Sequence, residues 1–325
     1  MKKEVYDPST CLVSQIAYQY YIEEKKTSEI AQQFELSSST VSRVLKRARQ
    51  EGIIKIQLAQ PYLECNEMEK YLEERFRLRN VCIVPLDKPE EELQDKNVKK
   101  QVALEGARYV QRIIRDDDIL GLAWGGTMYH LIQYLNPCRK VRASIVTMHG
   151  SIANCHEALE VQTLVDRAAM AFGGEKISLE HPGLYNTPEE CRQMAATEEC
   201  RNIFEMYEKI DIALTGVGSM YPDYDSLLGK TDYLTEKERK ELREERVVSD
   251  IMLHFIRKDG SECDNPIKDR TLAIDLETFR KIPCKVIAAS GSKKAYSILS
   301  LLNGNYIDVL IVDYHLAKKL ISLLK

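Results

Sequence analysis

Apolar residues in the first sixty positions recur three and four apart, the spacing of one helix face, before giving way to alternation. Leu12, Val13, Ile16, Ala17, Tyr20 and Tyr21 form the stripe of a first helix. Ile30, Ala31 and Phe34 predict a short second helix with Thr27 as its N-cap. Ser37-Ser38-Ser39-Thr40 is a run of capping residues, and it opens a third helix over 38–49 whose inward stripe is Val41, Val44, Leu45 and Ala48. Past Gly52, Ile53-Ile54-Lys55-Ile56-Gln57-Leu58 alternates as a short strand does, and Pro61 stops it. Met68, Leu72 and Phe76, four apart in a charged segment, predict a connecting helix within 61–78. Its stripe packs either on a second subunit or on its own domain.

From Val81 onward, short β-branched runs alternate with helical patterns. The runs are 81–84, 119–123, 144–147, 210–214, 284–288 and 309–312. Strands separated by helices indicate βαβ units and a mostly parallel sheet covered on both faces. The expected fold class is therefore α/β: a small N-terminal helix-turn-helix domain (1–60), the connecting helix (61–78), and a large doubly wound domain (79–325).

Composition is that of an ordinary globular chain, 44% hydrophobic and 30% charged over 325 residues. The net charge of −4 does not suggest nucleic acid, but residues 1–60 hold nine Lys/Arg against seven Asp/Glu, a local +2. Several of these bases fall on the outer face of the third helix. Ser38, Ser39, Thr40, Ser42, Arg43, Lys46 and Arg47 are the expected DNA-binding residues, on a face that carries few acidic groups. The serines and threonine are suited to phosphates or base edges. Arg43 is placed for bidentate guanine recognition, and Lys46, Arg47 and Arg49 for phosphate contact. Helix, short helix, serine-rich turn and basic helix in that order make the case; the basic helix alone would read as a solvated surface.

Three loops follow strands in the large domain. Gly121-Leu122-Ala123-Trp124-Gly125-Gly126-Thr127 lets the backbone approach a ligand, and the next helix aims its free N–H groups at an anion. Gly125, Gly126 and Thr127 are its expected contacts. Ala288-Ala289-Ser290-Gly291-Ser292-Lys293-Lys294-Ala295 places two lysines in a first helical turn, where an anion would relieve their opposition to the helix dipole; Ser290, Gly291 and Lys294 are its candidates. Leu214-Thr215-Gly216-Val217-Gly218-Ser219 contributes Gly216 and Gly218. None is a Walker A or GxGxxG loop, so no nucleotide cofactor is expected. Together they predict a crevice along one edge of the sheet. Tyr221-Pro222-Asp223-Tyr224-Asp225 either covers that crevice or is a plain exposed loop.

These motifs resemble those of the SorC family of sugar-responsive regulators. The run from Ser39 to Ile54 is similar to its DNA-binding segment, 121–127 to its first phosphate loop, and Asp211-Ile212-Ala213-Leu214-Thr215-Gly216-Val217-Gly218 to its internal strand. Ser290 to Ala295 and Val309 to Asp313 match its lysine loop and last strand. The resemblance covers essentially the whole chain. It implies a C-terminal domain similar to sugar-phosphate isomerases but used for sensing, and dimers or tetramers. It also adds Asp250, His149 and Asp313 to the effector-binding set, although Arg246-Val247-Val248-Ser249-Asp250 keeps only part of the family pattern. The function it implies is a DNA-binding regulator of carbohydrate metabolism whose operator binding responds to a phosphorylated sugar or polyol.

The rival is a sugar-phosphate isomerase or deaminase recruiting Asp250, Asp313 and His149, but these show no compact acid–base spacing. No metal is expected either, since His149, Cys155 and His156 fit no standard zinc pattern. Nine scattered cysteines without a CxxC pair, no apolar run long enough to span a bilayer, and an N-terminus without an apolar signal segment predict a cytoplasmic protein with reduced thiols.

Overall fold

The computed structural model describes residues 8–153, 155–229 and 233–325. The chain divides into two units, Met1–Ala59 and Gln60–Lys325.

The first unit holds α1 (Thr10–Tyr21), α2 (Thr27–Gln33) and α3 (Ser38–Gln50). Val13, Ile16, Ile30, Val41, Val44, Leu45 and Ala48 close its core, so the periodic stripes bury as expected. Thr27 is not the cap of α2 but its first residue. Lys26 occupies the cap position, and the Glu29 carboxylate accepts its N–H at 3.2 Å. No strand forms over 53–58. A strand needs a neighbour for its ladder, and the described residues supply none there: Ile54 N–H reaches the Ala48 carbonyl at 3.2 Å, and beyond it the segment runs without pairing among them.

The second unit opens with α4 (Tyr62–Phe76) and continues through β1 (Asn80–Val84), α5 (Asp95–Ile113), β2 (Ile119–Leu122), α6 (Gly126–Gln133), β3 (Ser144–Thr147), α7 (Val161–Phe172) and β4 (Glu175–Ile177). There follow α8 (Pro188–Ala195), α9 (Glu198–Tyr207), β5 (Ile212–Thr215), β6 (Gly218–Ser219), α10 (Glu236–Glu244), β7 (Val247–Ile251) and β8 (His254–Arg257). The chain ends with α11 (Leu276–Lys281), β9 (Cys284–Ala289), α12 (Ala295–Asn303), β10 (Val309–Asp313) and α13 (Tyr314–Ser322). Of the two readings open for α4, its stripe takes the second: Cys65, Met68 and Leu72 are buried in the core of their own unit.

Among the described residues, seven strands form a parallel sheet in the order β1-β10-β9-β5-β2-β3-β4, and β6-β7-β8 form a small antiparallel sheet. Edge strand β1 would leave N–H groups bare, but Glu73 accepts from Val81 at 2.9 Å and Glu69 from Ile83 at 2.8 Å. From β2 the chain runs outward through β3 and β4, then returns to the other side of β2 as β5. That reversal makes the β2/β5 boundary a topological switch point, where a crevice opens beyond the strand ends. The small sheet is fixed beside it by buried serines: Ser297 of α12 donates to the Val248 carbonyl at 3.2 Å, and the hydroxyls of Ser249 and Ser300 lie 2.7 Å apart. Among the described residues no helix is long and apolar enough to cross a membrane.

Candidate functional site

Helix α3 begins under Ser37, whose hydroxyl accepts the Thr40 N–H at 3.1 Å and lies 2.8 Å from the hydroxyls of both Ser39 and Thr40. With Val41, Val44, Leu45 and Ala48 turned inward, Ser38, Ser39, Ser42, Arg43 and Lys46 are exposed and Thr40 is half-buried. Arg43 reaches back to the Thr40 hydroxyl at 3.3 Å. Arg47 differs from its neighbours: its Nε pairs with Glu51 at 2.5 Å and its Nη1 donates to the Pro8 carbonyl at 3.0 Å. It ties down the end of α3, a role the sequence pattern does not distinguish from phosphate contact.

In the second unit, the ends of β2 and β5 flank a solvent-open cleft. One group of lining residues is the start of α6. Gly125 caps the helix at φ 123°, ψ 167°, a conformation that side-chain-bearing residues avoid. The first intrahelical bond runs from Tyr129 N–H to the Gly125 carbonyl at 2.8 Å. The N–H groups of Gly126, Thr127 and Met128 therefore precede it and are available to a ligand. Lys99 of α5 joins them, with Nζ 3.7 Å from where a Cβ on Gly126 would sit.

The other group surrounds Asp250 of β7. Its carboxylate is buried, and burial raises its pKa to about 6 against the lowering pull of the Ser226 hydroxyl and Lys294. Among the described residues its Oδ1 has no hydrogen-bond partner. Gly218 allows this packing, since a Cβ there would fall 2.0 Å from that oxygen. Buried Lys294 donates to the Val217 carbonyl at 2.8 Å and stands 4.0 Å from Asp225.

Of the residues expected to bind an effector, Gly125, Gly126, Thr127, Gly216, Gly218, Asp250 and Lys294 line this one cleft. His149, Ser290, Gly291 and Asp313 lie outside its lining. His149 is fully buried and uses both ring nitrogens internally: Nε2 accepts the Trp124 N–H at 3.1 Å and Nδ1 faces the Gly150 carbonyl at 2.8 Å. Desolvation drops its pKa to about 4, so it is a neutral strut beneath the α6 loop. The lysine loop is closed by the chain's own carboxylates: Asp313 accepts from Gly291 N–H at 2.6 Å and Glu90 from Ser292 N–H at 2.9 Å. Only Lys294 of that loop reaches the cleft. Asp225, the last residue of the 221–225 loop weighed as a cover for the crevice, does line the cleft, and Lys99 joins the lining without having been singled out. Lys99 sits among Lys96 and Lys100 in a helix whose charges look like any solvated face, and no local signal marks it. Among the described residues no group of three or more His, Cys, Asp and Glu is arranged to hold a metal ion.

A family model described as "Putative sugar-binding domain" matches residues 60–322. The chain belongs to the SorC-type family of sugar-binding transcriptional regulators. The regulator is 29% identical over 303 residues to the deoxyribonucleoside regulator of Bacillus subtilis, covering 93% of this chain and 95% of that one. It is 26% identical over 314 residues to the sorbitol operon regulator of Klebsiella pneumoniae, covering 96% and 98%. The crystal structure of that full-length sorbitol regulator aligns with a TM-score of 0.74 at 25% identity, covering 97% of this chain and 99% of the other. These relatives are transcriptional regulators rather than enzymes, and the isomerase alternative ends with them.

Proposed function

We propose that the regulator captures a phosphorylated sugar or polyol in the cleft and that occupancy changes its affinity for operator DNA, which α3 reads. The observation that carries this is the chemistry gathered in one cleft. The unbonded N–H groups at the start of α6, with Thr127 and Lys99, suit a phosphate dianion. The unpartnered Asp250 oxygen, beside Lys294 and Asp225, suits the hydroxyls of a polyol chain. The names of the relatives, a deoxyribonucleoside and a sorbitol regulator, support a polyhydroxylated effector. Residues 1–60 then form the DNA reader and 79–325 the sensor of a cytoplasmic homo-oligomer, a dimer or a tetramer. Ser38, Ser39, Thr40, Ser42, Arg43 and Lys46 supply the DNA contacts, and ligand shifts the population between states of different operator affinity.

A thermal-shift screen pairing sugar and polyol phosphates with their dephosphorylated counterparts tests the sensor half. Ligand at a hundredfold excess over its dissociation constant raises stability by about 2.7 kcal/mol. At least one phosphate should shift the melting temperature while its dephosphorylated partner does not; equal shifts from both would remove the phosphate from the reading.

A further inference from the structure

We propose that residues 54–58 are a subunit-pairing strand: two copies of Ile54-Lys55-Ile56-Gln57-Leu58 pair antiparallel about a two-fold axis at Ile56. The segment has a strand's alternation but belongs to no sheet among the described residues of its own chain. Among the described residues no hydrogen bond reaches the backbone N–H or carbonyl groups of Lys55 to Ala59, so both edges are bare. Ile54 packs against the core of the first unit. In extended backbone Ile56 and Leu58 continue on the same side as Ile54, yet they are 62% and 55% exposed. An apolar face that begins in the core and ends in solvent, on a backbone with unused donors and acceptors, calls for another strand.

The sequence itself selects a second copy as that strand. Centred on Ile56, the antiparallel register sets Ile54 opposite Leu58, Lys55 opposite Gln57, and Ile56 opposite its twin. All apolar residues of both copies then share one face, and no lysine opposes a lysine. A shift of the centre to Lys55 or Gln57 would put two lysines or two glutamines at the axis. Such self-complementarity is what a two-fold interface requires. The strand follows α3 by a few residues within the same unit, so pairing here would present two copies of α3 together, as a two-fold operator needs.

The register gives the test, made on the full-length chain. Ile56→Cys, oxidised gently and run on a non-reducing gel, should form covalent dimer well above the wild-type chain, which is oxidised in parallel because Cys11 and Cys138 are exposed. Residues opposed in either kind of antiparallel pair lie within disulfide reach. Lys55→Cys and Gln57→Cys should stay monomeric on the gel when expressed alone and cross-link when co-expressed. No excess dimer from Ile56→Cys, or equal dimer from Lys55→Cys alone, overturns the pairing. Ile56→Lys opposes two charges at the axis and should lower operator affinity at least tenfold with an unchanged melting temperature. That second readout rests on the DNA-reading role proposed above. Cross-linking with unaltered operator affinity in Ile56→Lys would overturn the link to DNA reading and leave the strand pair standing.

Discussion

The Lys294 ammonium donates to the Val217 carbonyl oxygen at 2.8 Å, joining the loop after β9 to the loop after β5 within the cleft lining. The same cation offsets the charge of the buried Asp250 carboxylate. Lys294→Met keeps the length of the side chain and removes both effects. It should cost roughly 1–3 kcal/mol of stability, the usual penalty for a stranded buried polar group. Calorimetric affinity for the sugar phosphate identified in the screen should fall tenfold or more, with urea melts reporting the stability term separately.

Gly125→Ala tests the conformation that opens the α6 N-terminus. There is room for a methyl, since only Leu227 comes within 3.9 Å, but φ of 123° is strained for alanine. About 1–3 kcal/mol of destabilisation is expected from the backbone alone, together with weaker ligand binding. Gly216→Ala is the control. Its nearest neighbour is the Ala288 carbonyl at 3.8 Å and its φ is not positive, so its melting temperature should stay near wild type.

Asp250 gives a pH signature with a defined sign. Its pKa is about 6 in the folded chain against 3.8 when unperturbed. Between those values the folded state holds the proton more tightly, so the contribution of this group to stability is full at low pH and is lost as pH rises from about 4 to 6. The ionised buried carboxylate then costs roughly 3 kcal/mol. Asp250→Asn should flatten that part of the stability–pH curve and raise the melting temperature of the ligand-free protein above pH 6. A variant curve parallel to wild type from pH 4 to 7 would contradict the assignment.

On α3, three basic residues should separate by role. Arg43→Ala should relax sequence preference by about 1–3 kcal/mol at one base pair. Lys46→Ala should weaken all sequences alike and reduce the salt-dependence slope by about one. Arg47→Ala should instead lower the stability of the first unit by about 1 kcal/mol, because it loses the bonds to Glu51 and Pro8. Fluorescence anisotropy on specific and scrambled duplexes, with melts in parallel, distinguishes the three.

Legibility followed the length of each signal. The buried parallel strands were readable because runs such as Val309-Leu310-Ile311-Val312 are apolar throughout, and α3 because a serine cap precedes a sustained stripe. Edge strand β4 was not, since Glu175-Lys176-Ile177 carries almost no apolar pattern. The small sheet was missed as well: β6 is two residues long, and buried β7 contains Ser249 and Asp250 where a core strand is expected to be apolar. Gly125, Gly126 and Thr127 stood out because a helix start needs a loop of that kind. Gly291 and Asp313 stood out equally, yet they bond to each other, since free N–H groups look the same in sequence whether a ligand or a carboxylate of the chain satisfies them.

The most direct measurement is the operator dissociation constant with and without the sugar phosphate, in the wild-type chain and in Lys294→Met. The wild type should change at least fivefold in either direction, the lower end of ordinary coupling between sites, and the variant should not change at the same ligand concentration. An equal response in both proteins, or an operator affinity that ignores a ligand shown to bind the wild type, would contradict the account.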